Sequence, residues 1–155
     1  MQLTDKIVDF ALNDMQFALY LRAVERIYRL VEITPLPQAP AIVSGLVNIQ
    51  GRVIPVVNVR KRFHLPEREP DLSDKLILAH TAHRPVALIV DDVGGVREIG
   101  AGEMVGAGTI LPATEYVAGV VKLAEGLILI HDLDTFLSLE EERDLGAALQ
   151  GKASG

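Results

Sequence analysis

Apolar residues recur at every second position in short runs along this chain, and a two-residue period builds strands rather than helices. Val8, Phe10 and Leu12 point one way, with Asp9 and Asn13 opposite. Phe17, Leu19 and Leu21 repeat the alternation after Asn13-Asp14, a dipeptide suited to a hairpin turn. Val24 to Ile33 reads as a third strand, entered through a short helical turn. The segment Thr34-Pro35-Leu36-Pro37-Gln38-Ala39-Pro40 then stops the series. Its prolines fix φ and remove amide donors, which makes it a rigid extended loop.

The alternation resumes downstream. Val43 to Ile49 and Arg52 to Val59 flank Gln50-Gly51, a tight-turn signal. Pro55 places the second of these runs at a sheet edge or a bulge. Asn58 to Phe63 is a short helix, and Leu65 to Asp74 is a solvated acidic connector. Lys75 to Thr81, Val86 to Val90 and Val93 to Ile99 are further strands. Gly100 to Gly108 is irregular, and Val117 to Leu123 and Leu127 to Ile130 close the series. Ser138 with Glu141 forms a capping box, after which Leu145, Ala148 and Leu149 fall at helical spacing.

Composition narrows the classes of function. Apolar residues make up 49% of the 155 and can fill a core, while Trp is absent. The chain has no Cys, which excludes disulfides, thiolate metal sites and a Cys nucleophile. A net charge of −6 repels phosphate backbones, so no nucleic-acid partner is expected. Arg60-Lys61-Arg62 reads as a solvated helix face. The polar start from Met1 to Lys6 is no signal peptide, and no apolar run reaches the roughly 20 residues of a membrane span. A soluble, cytoplasmic protein is expected.

The chain also repeats itself. Val43-Ser44-Gly45-Leu46-Val47-Asn48-Ile49 aligns with Val117-Ala118-Gly119-Val120-Val121-Lys122-Leu123 at an offset of 74 residues. Ile54 to Val59 parallels Ile128 to Leu133, and Gly51 matches Gly126 with one residue of slip. Leu30-Val31-Glu32-Ile33 resembles Val96-Arg97-Glu98-Ile99. Two similar all-β halves follow, each too small to bury a core alone.

No catalytic constellation emerges. His64, His80, His83 and His131 include no H-E-x-x-H pair, so no metal site is expected. His131 and Asp132 are strand neighbours that point to opposite faces. Ser44 lacks the G-x-S-x-G frame, and Gly100-x-Gly102 lacks the rest of a phosphate loop. Asp91-Asp92 reads as a solvated turn. Function through surface rather than chemistry is the expectation, with no cofactor.

Taken in order, several segments resemble the CheW-like domain family from about Lys6 to Leu149. These are the hairpin Phe10 to Leu19, Val24-x-x-Ile27, the proline loop Thr34 to Pro40, and Val43-x-Gly45-Leu46-Val47-Asn48-Ile49-Gln50-Gly51. Ile54-Pro55-Val56-Val57-Asn58-Val59-Arg60, Val90-Asp91-Asp92-Val93 and Thr114-Glu115-Tyr116-Val117-Ala118-Gly119 complete the series. The resemblance implies an all-β fold with a C-terminal helix, in which two small five-stranded β-barrels pack on a shared hydrophobic core. It implies a single domain over 1–150, with sub-barrel one over roughly 15–72 and sub-barrel two over roughly 73–131 plus the N-terminal strand. The C-terminal helix would cover 132–149, and 151–155 would be a disordered tail.

The resemblance further implies a non-catalytic adaptor. Its partners would be the regulatory domain of a chemotaxis histidine kinase and the cytoplasmic tip of a chemoreceptor. It would sit in the cytoplasm, at the inner face of the membrane through receptors, without inserting into the bilayer. The expected partner-binding residues are Val24, Arg26, Ile27, Gly45, Asn48 and Gln50 in the first half and Gly119 in the second. Gly45 and Gly119 have an equal claim as positions that the barrels themselves need. Three positions depart from the family pattern. Gln50 stands where the family has Arg, Arg26 where it has Glu, and Asn58 where it has Asp. Arg26 with Gln50 would be a compensated pair, or the chain would serve a divergent system that competes within such arrays. The other reading is a small-ligand sensor with a pocket between the barrels.

Overall fold

In a computed structural model of the chain, residues 5–100, 103–105, 117–124 and 126–154 are described. Most of the glycine-rich stretch 100–108 and the motif residues Thr114, Glu115 and Tyr116 lie outside that set. The strands are β1 (Asp5–Leu12), β2 (Met15–Tyr20), β3 (Val24–Arg29), β4 (Val43–Ile49), β5 (Arg52–Val57), β6 (Lys75–His80), β7 (Pro85–Val90), β8 (Asp92–Ile99), β9 (Met104–Val105), β10 (Val117–Leu123) and β11 (Gly126–His131). Helix α1 is Val59–Arg62 and helix α2 is Leu139–Ser154. The short helical turn expected before β3 is present at Leu21–Ala23.

Two sheets result, in the orders β8-β1-β2-β11-β10-β9 and β3-β6-β7-β5-β4. Both hairpin turns were legible. Asn13 and Gln50 adopt positive φ, 56° and 53°, and Gly51 follows at 87°. Successive positive φ values match the twist of a two-residue hairpin loop.

The closed barrels of the sequence reading become curled sheets. In the second sheet the segment that follows β3 reaches β4 through one bridge, Thr34 to Leu46, with hydrogen bonds of 2.7 and 2.8 Å. The prolines that follow Thr34 lack the amides to extend that ladder. Among the described residues no pairing closes β8 onto the far edge of the first sheet.

Pro55 is tolerated in an interior strand, not at an edge. Its partner Leu46 turns both backbone groups toward Thr34, so Leu46 and Pro55 exchange no hydrogen bonds. The parallel ladder to β7 begins one residue later, at Val56. No ladder bond is therefore lost to the missing amide.

A cut near residue 72 does not divide the strands. Hairpin β1-β2 sits in the sheet of β8, β10 and β11, and hairpin β6-β7 sits in the sheet of β3, β4 and β5. The parallel pairings β11 with β2 and β5 with β7 enforce this exchange. The two sheets are equivalent residue by residue. Val43 and Gly45 opposite Val57 and Val56 map onto Val117 and Gly119 opposite His131 and Ile130, at the expected offset of 74. Val24 and Arg26 opposite Ala79 and Leu78 map onto Val93 and Gly95 opposite Phe10 and Asp9, at an offset of 69. Each of these four ladders carries its β-bulge at the matching place. Val96 thus answers Ile27, not Leu30, and Gly126 answers Arg52, not Gly51.

The main core lies between the sheets. Phe10, Leu12, Phe17 and Leu19 meet Leu46, Val57, Ile77 and Leu88, and Phe136, Leu145 and Ala148 seal the end. Each sheet also encloses a smaller apolar cluster of its own. Helix α2 starts at Leu139, seven residues later than expected, because Leu133–Thr135 forms a separate turn capped by Asp132. The capping box is present: the Ser138 amide donates to Glu141 Oε1 at 2.8 Å, and the Glu141 amide donates to Ser138 Oγ at 3.0 Å. The helix then continues through Ser154, where a frayed tail was expected. Gly151 costs it only about 1 kcal/mol relative to Ala.

Candidate partner-binding surface

Strand β3 is the edge of its sheet and carries three of the expected residues. Val24 is half-buried against the main core, while Arg26 and Ile27 are exposed. The bulge between Val24 and Arg26 leaves Glu25 without a cross-strand partner and re-aims its side chain. Glu25 Oε2 accepts from Arg52 Nη1 at 2.7 Å, and Glu25 Oε1 lies 3.0 Å from His80 Nε2. Arg52 begins β5, next to the Gln50-Gly51 turn, so this ion pair ties the turn to β3.

Charge compensation therefore runs through Glu25 and Arg52 instead of Arg26 and Gln50. The resemblance leads to the expectation of Glu at 26 and Arg at 50. Here the same two elements carry the same two charges, each displaced along the chain. Asn48 and Gln50 are exposed and serve the turn. Asn48 Oδ1 accepts from the Gly51 amide at 2.9 Å.

Gly45 is buried and belongs to the framework. A Cβ there would collide with the Thr34 carbonyl oxygen and stand 2.9 Å from Ile33 Cγ2. Its absence lets the Thr34 bridge form. Gly119 occupies the equivalent bulge of β10, in the other sheet and apart from the first six residues.

Besides the expected Ile27, the sequence reading missed three exposed apolar residues, Val53, Val96 and Leu127. Ile27 and Val53 are 39% and 59% exposed on the second sheet. Their equivalents on the first sheet, Val96 and Leu127, are 60% and 51% exposed. The offsets of 69 and 74 would have paired them. The charged link is not duplicated, since Gly94 and Gly126 stand where Glu25 and Arg52 do.

Several groups read as solvated are structural. Arg60 is buried and ion-paired to Asp91, and Arg62 pairs with Glu141 at 2.6 Å, leaving Lys61 as the exposed member of that cluster. Asp91 also accepts from Arg68 at 2.5 Å and from the Asn13 amide at 2.7 Å. Burial alone would raise the Asp91 carboxyl, but Asn13, Arg60 and Arg68 outweigh it and hold it below the ordinary carboxylate value. Arg68 reaches on to buried Asp74 at 2.6 Å and pins the connector. The third departure has a local cause as well. Asn58 Oδ1 caps α1 by accepting from the Lys61 amide, while Asn58 Nδ2 donates to Glu67 Oε1 at 2.8 Å. An Asp has no such donor.

His131 is buried among the rings of Phe10, Phe17, Phe63 and Phe136, with no hydrogen-bond partner on either nitrogen among the described residues. Among the described residues no three His, Asp or Glu side chains are grouped to hold a metal ion. None of their helices is long and apolar enough to cross a membrane.

Comparison with known proteins gives a consistent result. The CheW-like domain pattern matches residues 6–141. "Chemotaxis protein CheW" of Rhizobium meliloti (strain 1021) is 28% identical over 138 residues, covering 88% of this chain and 89% of the relative. "Protein FrzA" of Myxococcus xanthus is 24% identical over 146 residues, covering 90% and 88%. The crystal structure of scaffolding protein TtCheW from Thermoanaerobacter tengcongensis superposes with a TM-score of 0.80 at 26% identity, covering 90% of this chain and 96% of that one.

Proposed function

We propose a bridging role for this chain, which belongs to the CheW-like domain family. Membership makes it a non-catalytic adaptor of chemotaxis signalling that works through contacts with other proteins of that system. Its two partners are the regulatory domain of a chemotaxis-type histidine kinase and the cytoplasmic tip of a chemoreceptor. It acts in the cytoplasm, held at the inner face of the membrane through the receptor.

One observation carries this reading. Each sheet offers an exposed apolar pair at the same register, Ile27 with Val53 and Val96 with Leu127. A bridge needs two faces, and exposed apolar residues rimmed by polar ones suit protein contact. The faces also differ. Glu25 and Arg52 rim one of them, where glycines stand on the other, and unlike rims let two partners be told apart. Val24, Arg26, Ile27, Asn48 and Gln50 serve the first face, and Gly119 lies on the sheet that carries the second.

The test is co-elution of the purified chain with the kinase regulatory region and with a receptor-tip fragment. Ile27→Glu should abolish binding to one partner, and Leu127→Glu should abolish binding to the other. Val24→Glu should also break the first contact, and Gln50→Arg should leave it intact. Far-UV circular dichroism checks that each variant is folded. If the parent and Gln50→Arg bind neither partner, the bridging role is refuted and a ligand-sensing role takes its place.

A further inference from the structure

A cavity of about 720 Å³ opens at the end of the second sheet remote from the Gln50-Gly51 turn. Its size lies within the roughly 300–1,000 Å³ range of ligand sites. The floor is apolar, formed by Val56 and Ile89 with Leu30 and Ile33. Leu72 stands at its rim 94% exposed, although apolar surface lies beside it. The connector wall that carries Leu72 is held off the floor by Arg68, which spans Asp74 and Asp91, and by the bond from Asn58 to Glu67.

Charge around this cavity is one-sided. The lining cations Arg60 and Arg68 are already paired with Asp91 and Asp74, which do not line it. Among the described residues, the lining acid Glu67 accepts only a neutral amide, and Glu32 and Glu69 make no ion pair. The cavity therefore presents uncompensated negative charge above an apolar floor.

Backbone is exposed at the same place. The β3 ladder ends with Arg29 opposite Lys75, and the next pairing is the Thr34 bridge. Leu30 to Ile33 lie between them, with no ladder partner among the described residues. Unpaired strand edges accept an added strand.

We propose that this cavity binds an extended segment of a partner protein in which cationic and apolar residues alternate. The segment adds as a strand along Leu30 to Ile33. Its apolar side chains enter the cavity, and its cations meet Glu32, Glu67 and Glu69. This site is separate from the two faces assigned to the bridge. The proposal stands whether or not the kinase and receptor are the partners of those faces.

The test uses a short synthetic peptide of alternating lysine and valine, titrated against the whole chain by calorimetry and amide-resolved NMR. Saturable binding with protection of the Val31 and Ile33 amides is the expected result. Neutralising the rim with Glu32→Gln and Glu69→Gln should weaken it about tenfold, from two exposed charges acting together. Neutralising Glu98 and Glu140 instead changes net charge equally and should leave binding unaltered. A glutamate–valine twin should not bind, and N-methylation of alternate peptide amides should abolish binding. No saturable binding of the lysine peptide, equal weakening by both pairs of substitutions, or shifts confined to other surfaces would each overturn the proposal.

Discussion

His131 makes a sharp prediction about stability and pH. The chain has four phenylalanines, and all of them pack around this imidazole, at centroid distances from 4.3 to 6.2 Å. Among the described residues neither nitrogen finds a partner, and burial pushes the pKa down from 6.5 to about 3. In the unfolded chain the imidazole takes up a proton below about pH 6.5, whereas in the fold it stays neutral until about pH 3. Stability is therefore complete above the unfolded pKa and drains away as pH falls toward the folded one. Each pH step of one is worth about 1.4 kcal/mol, so acidifying from about pH 6.5 to about pH 5 costs roughly 2 kcal/mol. Asp71, Asp91 and Glu141 also have lowered carboxyl pKa values, and their contributions are likewise lost on acidification. Those losses begin only near the ordinary carboxylate range of about 4, which leaves the higher window to His131.

The perturbation is His131→Leu. The equivalent position of the other sheet is Val57, so the backbone there accepts an apolar side chain. Removing two unsatisfied polar atoms should leave the protein at least as stable at neutral pH, and up to about 2 kcal/mol more stable. The slope between about pH 6.5 and about pH 5 should vanish. Urea unfolding followed by circular dichroism is the assay, since the chain has no Trp to report by fluorescence. Parallel pH profiles for the parent and His131→Leu would refute the argument.

Three further outcomes follow from the framework. Gly45→Ala forces a Cβ onto the Thr34 carbonyl and should cost about 2–3 kcal/mol in urea unfolding, with faster amide exchange at Leu46. Asp91→Asn strips Arg60 and Arg68 of a shared carboxylate. The cost should be about 2–3 kcal/mol, below that of a fully buried pair because Asp91 is a quarter exposed, and thermal unfolding measures it. Asn58→Asp keeps the cap on α1 but sets a carboxylate against Glu67. It should cost roughly 1 kcal/mol, and proteolysis should cut the connector sooner.

Strands, hairpin turns and the capping box were legible because each depends on neighbours in sequence. Period-2 alternation gives a strand wherever it lies, and Gln50-Gly51 or Ser138 with Glu141 act over two to four residues. Strand partners were not legible. Pro55 shows why: whether a missing amide matters depends on which way Leu46 turns its own hydrogen bonds, and that depends on Thr34. Arg60, Arg62 and Asp91 looked solvated for a similar reason, since their partners are distant in sequence. The shared charge at Glu25 and Arg52 was hidden by position-by-position comparison, which sees Arg26 and Gln50 as losses. A bulge moves the side chain that counts, and alternation does not reveal bulges.

The exchange of hairpins explains why this repeat makes one domain and not two. Each repeated unit supplies a hairpin to the sheet built by the other, and the parallel seams β5 with β7 and β2 with β11 lock the exchange. Neither unit completes a sheet alone, because its own hairpin lies in the sheet built by the other. The main core reinforces this, because Phe10 and Phe17 come from one unit's hairpin and Ile77 and Leu88 from the other's, and they are buried together. A fold bound this way keeps its two exposed apolar pairs in a fixed relation, whatever changes at their rims. The two rims have diverged, Glu25 and Arg52 on one and Gly94 and Gly126 on the other, while the four bulges that shape the sheets have stayed in register. A rigid frame with independently variable faces suits an adaptor that works through contacts with other signalling proteins.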